Sequence, residues 1–300
     1  MLLGLLLISL AAISWGTTGA TMTLLARDAA ASPLLVGWAR MAVAAACLLP
    51  GALIASSAAP RARPPGPPTR PRALALGGLT LGVAMAAYQI CYFSAVPRSG
   101  VAITALLAIC SAPVMIAVLA TAFLGERLTA TVRLSLVMAV MGTALLVVGP
   151  RGPGDIGGRF GLGALLALGA GLSYAVYAVT AKRLLGRLSP LAVSAVTFTV
   201  AALLLTPTLL GAGPIAGPVA SGWPLLVYLG VGPTAVAYVL FTLGLARVPA
   251  TVAGITSLLE PLTASAIGAI WLGERLGLVG WAGAVLLLGA LAMLARPRRP

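Results

Sequence analysis

The sequence LGERL at Leu124–Leu128 is repeated at Leu272–Leu276, 148 residues further along the chain. Each copy follows a long apolar run, and each run carries a proline twelve residues before the glycine of the motif, at Pro113 and Pro261. Proline removes a backbone donor and clashes with the preceding turn, so both prolines are expected to break a helix at mid-membrane depth. The doubled pattern indicates one membrane module that is present twice.

The composition indicates a protein that lies in a lipid bilayer. Apolar residues make up 60% of the 300 residues and charged residues 8%, with a mean hydropathy of +1.09. Soluble proteins carry about 25% charged residues. The net charge of +14 comes from basic residues in short segments between apolar runs. In that setting they are topology signals, and we do not expect nucleic acid as a partner.

Apolar runs of roughly 20 residues, the length needed to cross a bilayer, predict an all-α polytopic membrane protein with ten transmembrane helices. The predicted helices cover residues 3–22, 33–55, 74–95, 100–122, 131–149, 161–181, 190–210, 224–245, 250–272 and 277–295. Ten crossings place both termini on one side, where the connecting segments hold 13 basic residues against 5 on the other side. This bias predicts cytoplasmic termini.

The chain divides into two halves of five predicted helices each, residues 1–150 and 155–300. Tyr88 in the third helix is matched by Tyr238 in the eighth. Because five is an odd number, the second half should cross the bilayer in the opposite direction. Inverted repeats of this kind supply the two conformations of alternating access.

Two pairs of small residues lie four positions apart in the sequence, Gly78 with Gly82 and Ala264 with Gly268. Such pairs allow helices to approach closely in a membrane. We therefore expect them at helix–helix contacts. The longest connection, residues 60–72, holds six prolines and is expected to be extended and cytoplasmic.

Arg40 and Glu260 are the two ionisable residues well inside predicted helices. A charge near the bilayer centre costs roughly 3 kcal/mol on insertion scales, so such groups face a partner or a cavity. Three interpretations remain open. The two can form a structural ion pair; Arg40 can bind an anionic group of a substrate, such as a carboxylate; or Glu260 can bind a cationic group or a coupling proton.

Polar and aromatic residues inside the predicted helices are candidates for the wall of a cavity. With Arg40 and Glu260, the candidates for substrate or coupling contacts are Trp15, Thr17, Tyr88, Pro113, Tyr174, Tyr238 and Pro261. Such groups suit a small polar organic molecule. The alternative for each hydroxyl is a bond to a neighbouring helix.

Glu126 and Glu274 belong to the two LGERL copies and are predicted at opposite faces of the membrane. Solvated or ion-paired interfacial residues are one interpretation. The other is that they act as gates, one on each face.

Several classes of active site are missing from the sequence. No G-x-x-x-x-G-K-[ST] loop is present, and the chain has no histidine. Five acidic residues leave little material for metal binding or acid–base catalysis. We expect no enzyme activity, no catalytic residues, no cofactor and no metal.

These features together resemble the drug/metabolite transporter superfamily and, within it, the EamA-type family of ten-helix carriers. Trp15 with Gly16, Arg40, and the proline-to-LGERL spacing in both halves carry the likeness. It implies an inner-membrane carrier, often an exporter of amino acids or other small metabolites. It also implies a central cavity lined by helices of both halves.

The expected function is therefore a secondary transporter that exports a small polar metabolite by alternating access. A facilitative, uncoupled carrier and a structural or lipid-handling membrane protein are the alternatives. The lipid bilayer and a small-molecule substrate are the expected partners. The sequence leaves open the substrate, the direction of transport, protons as the coupling ion and a homodimer.

Overall fold

The computed structural model describes residues 1–58, 71–148, 160–271 and 277–295, and within these ranges the regular structure is entirely helical. Nine helices there are long and apolar enough to cross a membrane, and a tenth has a slightly shorter apolar part, Ala130–Leu146. The ten helices are α1 (Leu2–Asp28), α2 (Pro33–Ser57), α3 (Pro71–Gly100), α4 (Ile103–Leu124), α5 (Ala130–Val148), α6 (Phe160–Leu184), α7 (Pro190–Gly211), α8 (Ala216–Leu245), α9 (Ala250–Ile270) and α10 (Gly277–Ala295). The predicted fold class of ten apolar membrane helices is confirmed.

The ends of the helices follow local chemistry. Ser189 caps α7 by accepting a hydrogen bond from the amide of Ala192 at 3.2 Å, with Pro190 at the first helical position. Gly100 ends α3 with a φ of 77°, which favours glycine. Of the proline-rich connection 60–72, only the last two residues are described, and they begin α3.

The two matched prolines behave differently. The prediction of a broken helix is wrong for Pro113, because α4 continues through it. It is confirmed for Pro261: α9 is interrupted at Ser257, where the Leu258 amide bonds to the carbonyl of Ile255 at 3.2 Å in a tighter turn. Pro261 cannot donate the usual bond back to Ser257, which explains the position of the interruption.

Helices of the first half of the chain pack against helices of the second half. α1 packs mainly against α8, α2 against α7 and α5 against α10. The α5–α10 contact is made by backbone, because a Cβ added at Gly142 would lie 2.8 Å from the carbonyl oxygen of Gly283. The helices that follow one another in sequence are therefore held together largely through partners from the other half.

Because the helices alternate in direction, α1 begins and α10 ends at one end of the bundle. We call this the terminal end and the opposite one the distal end. At the terminal end, Gly4 packs against Arg247 and Val248; at the distal end, Gly163 packs against Arg98 and Ser99. Similar contacts thus occur at both ends of the bundle.

Candidate functional site

A cavity of about 400 Å³ is lined by residues of α1, α2, α3, α4, α5, α6, α8 and α9. Both halves of the chain contribute to its wall. Eight of the nine candidate substrate or coupling residues line it: Trp15, Arg40, Tyr88, Pro113, Tyr174, Tyr238, Glu260 and Pro261. Their contact with a substrate remains a prediction.

The cavity lies towards the distal end of the bundle. Its lining residues on α1 begin at Trp15, the midpoint of that helix, and those on α4 stop at Pro113. On the terminal side, α4 and α9 pack tightly, with Ile116, Ala120 and Ala253 completely buried. This packing closes the terminal side of the cavity.

Arg40 is held on α2 by a partner from the other half of the chain. Its side chain is 8% exposed, and its Nε donates a hydrogen bond to the hydroxyl of Thr234 at 3.0 Å. A guanidinium has five donor hydrogens. The other four have no protein acceptor among the described residues, so they remain available to the cavity.

Glu260 lies on α9 directly after the interruption. Its carboxylate has no hydrogen-bond partner within the described ranges, and Arg40 and Glu260 do not form an ion pair with each other. The described part of the chain holds one ion pair, between Arg27 and Asp28 at 2.6 Å, and both side chains there are exposed. A structural Arg40–Glu260 pair is thus not formed; the two opposite charges face one cavity instead.

Three lining residues carry buried polar atoms without a partner. Within the described ranges, the indole nitrogen of Trp15 and the hydroxyls of Thr18 and Tyr174 have no hydrogen-bond partner. Leaving such a group unpaired costs about 1–3 kcal/mol. Buried polar atoms are almost always paired, so three unpaired atoms in one cavity wall indicate a place for a polar molecule.

Aromatic rings form one continuous side of the wall. The ring of Trp15 lies 4.9 Å from that of Tyr238 and 6.3 Å from that of Tyr174, where the two planes are perpendicular. Tyr88 continues the row, 6.2 Å from Tyr174. Edge and tilted contacts of this kind fix ring positions, which makes this side of the cavity rigid.

Thr17 is placed differently from the other candidates. It lies where α1 is interrupted, and its hydroxyl contacts the carbonyl of Ser14 and the hydroxyl of Tyr228, each at 2.8 Å. Among the described residues it does not line the cavity. Its hydroxyl is bonded within α1 and to Tyr228 of α8, in agreement with the alternative interpretation.

Several lining residues were missed by the sequence analysis, among them Gln89 and Ser257. Gln89 is 3% exposed, and its amide nitrogen approaches the carbonyl of Gly37 at 3.5 Å. Ser257 lies at the interruption of α9. An uncharged amide inside an apolar run signals Gln89, and the position four residues before Pro261 signals Ser257.

Glu126 is half-buried and bonded at the terminal end. Its carboxylate accepts hydrogen bonds from the amide of Thr251 at 3.1 Å, from the hydroxyl of Thr251 at 2.9 Å and from the amide of Ala250. Nearby, Lys182 donates to the carbonyls of Leu245 and Val248 at 2.7 and 2.8 Å. Glu126 is therefore bonded to the start of α9, and its role as an interfacial residue or as a gate stays a prediction.

Glu274, the matching residue of the second copy, lies outside the described residues. The described part of the chain contains no group of three Cys, Asp or Glu side chains that could hold a metal ion.

Comparison with known proteins places these features in a family. The model of the EamA-like transporter family matches residues 2–148 and again 161–296. The chain is 36% identical over 298 residues to the uncharacterized transporter YwfM of Bacillus subtilis, covering 98% of this chain and 94% of that protein.

A second relative is the probable terminal-alkyne amino-acid exporter of Streptantibioticus cattleyicolor, with 32% identity over 200 residues and 64% of each chain covered. One crystal structure shares the fold with a TM-score of 0.80 at 21% identity, covering 97% of this chain and 96% of that one. The chain belongs to the EamA-like transporter family of the drug/metabolite transporter superfamily and is a multi-pass membrane transporter.

Proposed function

We propose that the protein is a secondary transporter that exports a small metabolite with both an anionic and a cationic group, such as an amino acid, across the cytoplasmic membrane. One observation carries the proposal: Arg40 and Glu260 face the same cavity without pairing with each other. A charge buried in a membrane protein marks a substrate or ion pathway by default.

The two charges define the chemistry of the solute. Arg40 keeps unused donors for a carboxylate, because its one partner among the described residues is a neutral hydroxyl. Glu260 can accept hydrogen bonds from an ammonium group. A zwitterion would therefore compensate both charges at once, and the volume of about 400 Å³ lies within the usual range of ligand pockets, roughly 300–1,000 Å³.

The direction of transport is inferred from a relative. The protein of Streptantibioticus cattleyicolor is named an exporter of an amino acid, and it is 32% identical to this chain. Export of an amino acid or a related compound agrees with that name and with the charges in the cavity.

We infer that alternating access rests on two inverted halves, 1–150 and 155–300. The similar contacts of Gly4 and Gly163 at opposite ends of the bundle support this inference. In the conformation described, the terminal side is closed, and Glu126 joins α9 there. With cytoplasmic termini, as the basic residues predict, the cavity lies on the outer side of this closure, and Glu126 acts as the inner gate.

Glu260 is the group that we assign to the coupling proton. It is the carboxylate of the cavity wall and is not engaged in an ion pair within the described ranges. A proton and the cationic group of the solute would then bind to it in turn. In an uncoupled, facilitative carrier, by contrast, Glu260 would bind only the solute.

The test is efflux from cells loaded with labelled amino acids, nucleosides and sugars, at matched expression. Glu260→Gln and Arg40→Gln are compared with Asp28→Asn and Arg27→Gln, which change the same charges at an exposed ion pair outside the cavity. We expect saturable efflux of an amino acid that the cavity variants lose and the control variants keep. Equal efflux from all four variants would refute the role of the cavity charges.

A second readout separates coupling from binding. If Glu260 carries a coupling proton, an imposed proton gradient accelerates efflux by the parent protein and has no effect on Glu260→Gln. If the gradient does not change the efflux rate of the parent protein, the facilitative alternative holds. If no member of the panel moves, the proposed amino-acid substrate is wrong.

A further inference from the structure

α8 contains one wider helical turn in its middle. Residues Gly230–Val236 form a π-helical segment between the α-helical parts Ala216–Leu229 and Ala237–Leu245. Such single π turns occur frequently at functional sites. Thr234 lies in this segment, is completely buried and is not part of the cavity wall.

The hydroxyl of Thr234 makes two hydrogen bonds with defined directions. It donates to the carbonyl of Leu229, five residues earlier, at 2.7 Å. It accepts from Nε of Arg40 at 3.0 Å. Because its single proton is committed to Leu229, the oxygen lone pair is turned towards Arg40.

Close approach of α2 and α8 brings these groups together. A Cβ added at Gly230 would collide with the side chain of Val43, one turn after Arg40 on α2. The absence of a side chain at Gly230 therefore allows the π segment to lie against α2.

We propose that Thr234 is a positioning residue that holds Arg40 by its Nε edge, so that the terminal nitrogens face the cavity and bind the carboxylate of the transported solute. The proposal rests on the proposed function. A long arginine side chain has about 2 kcal/mol of rotamer entropy, and fixing one edge before the solute arrives removes part of that cost from binding.

The neutrality of Thr234 matters for this role. A carboxylate at this position would orient Arg40 equally well but would compensate its charge. A hydroxyl accepts one hydrogen bond and leaves the positive charge to the solute. The arrangement therefore combines a fixed guanidinium with an uncompensated charge, which a transient anionic ligand requires.

The experiment measures KM and maximal rate in proteoliposomes for an amino acid and for its amide, which lacks the anionic group. The variants are Thr234→Val, which removes the hydroxyl at nearly constant shape, and Thr234→Ser, which keeps it. Thr242→Val is the matched control, because Thr242 is a buried threonine of the same helix outside the cavity wall.

For Thr234→Val we expect a KM about tenfold higher for the amino acid, a maximal rate within about twofold of the parent, and a reduced preference for the amino acid over its amide. Thr234→Ser and Thr242→Val should resemble the parent. A merely structural role of the hydroxyl would change the kinetics of both substrates alike, and serine would restore both alike.

An unchanged KM and preference in Thr234→Val would overturn the assignment of Thr234 while leaving the amino-acid transporter in place. If Thr234→Val does not fold, Thr234→Ala is compared with Thr234→Ser by the same criteria. A parent protein that moves neither compound would overturn the proposed function itself, and the assignment with it.

Discussion

Glu126 and Thr251 join the two halves of the chain at the terminal end: one carboxylate oxygen accepts from both the amide and the hydroxyl of Thr251, at 3.1 and 2.9 Å. The residue before α9, Pro249, offers no side-chain cap. Glu126 supplies the missing cap from the loop after α4. A carboxylate at this position also interacts favourably with the positive end of the helix dipole.

Replacing Glu126 by alanine should lower the stability of the protein. Loss of a helix cap costs about 0.5–2 kcal/mol, which predicts a lower Tm in detergent for Glu126→Ala. Arg127→Ala is the control, because the neighbouring Arg127 is exposed. Equal Tm values for the two variants would show that the Glu126 contacts contribute nothing to folding.

The energetic coupling of Glu126 and Thr251 can be measured directly. Thr251→Val removes only the hydroxyl bond and should destabilise less than Glu126→Ala. Because the two residues share one contact, the double variant should lose less stability than the sum of the single variants, by about 0.5 kcal/mol or more. Strict additivity of the three unfolding free energies would argue against the contact.

Lys182 should contribute to stability through carbonyls rather than through an ion pair. It donates to the carbonyl of Leu245, at the end of α8 where carbonyls lack intrahelical partners, and to that of Val248 in the following turn. Lys182→Met keeps the apolar stem and should cost about 1–3 kcal/mol. Arg183→Met, at the exposed adjacent position, should have the Tm of the parent, and a similar loss in both variants would contradict this assignment.

The contact between α5 and α10 leaves no room for a side chain. Gly142→Ala should destabilise by about 1–3 kcal/mol, because its Cβ would meet the backbone of Gly283, which cannot rotate away. Gly217→Ala is the control, since nothing lies within reach of its Cβ. Yield of folded protein and Tm give the answer; a Gly142→Ala protein as stable as the control would show that α10 can shift.

Trp15→Phe should impair transport without lowering the stability of the protein. The substitution keeps an aromatic ring beside Tyr238 and removes the unpaired indole N–H. Removing a buried donor without a protein partner should not lower the Tm. If that donor binds the solute, KM should rise several-fold, as expected for a hydrogen bond worth about 1 kcal/mol. An unchanged KM would assign Trp15 to packing alone.

The fold could be predicted from the sequence because the bilayer imposes a length and a composition on every helix. Whether a proline interrupts its helix could not be predicted in the same way. Pro113 and Pro261 have the same spacing to LGERL, yet only α9 is interrupted. In α4, Pro113 has no N–H to donate to the carbonyl of Ile109. Both residues line the cavity, where a carbonyl without a helical hydrogen bond is tolerated.

The candidate site was predictable in its charges and less so in its neutral residues. Arg40 and Glu260 are conspicuous because a charge inside an apolar helix is costly. Ala264 and Gly268 were expected at a helix contact, yet both line the cavity. Small side chains make room for either a helix or a solute, and sequence spacing does not distinguish the two. The proposed role of Thr234 depends on the π turn at Gly230–Val236; Pro233 signals an irregular helix there, but no sequence pattern predicts a wider turn.

The pairing of α5 with α10 has a consequence for biosynthesis. α5 ends at Val148, and its partner begins at Gly277. At about 5–20 residues per second, the ribosome needs roughly 6–26 s to bridge that interval. During this time α5 lies in the bilayer with its glycine face uncovered and free to associate with unrelated helices. Synthesis of α10 is therefore the event that commits the nascent chain to its native neighbours.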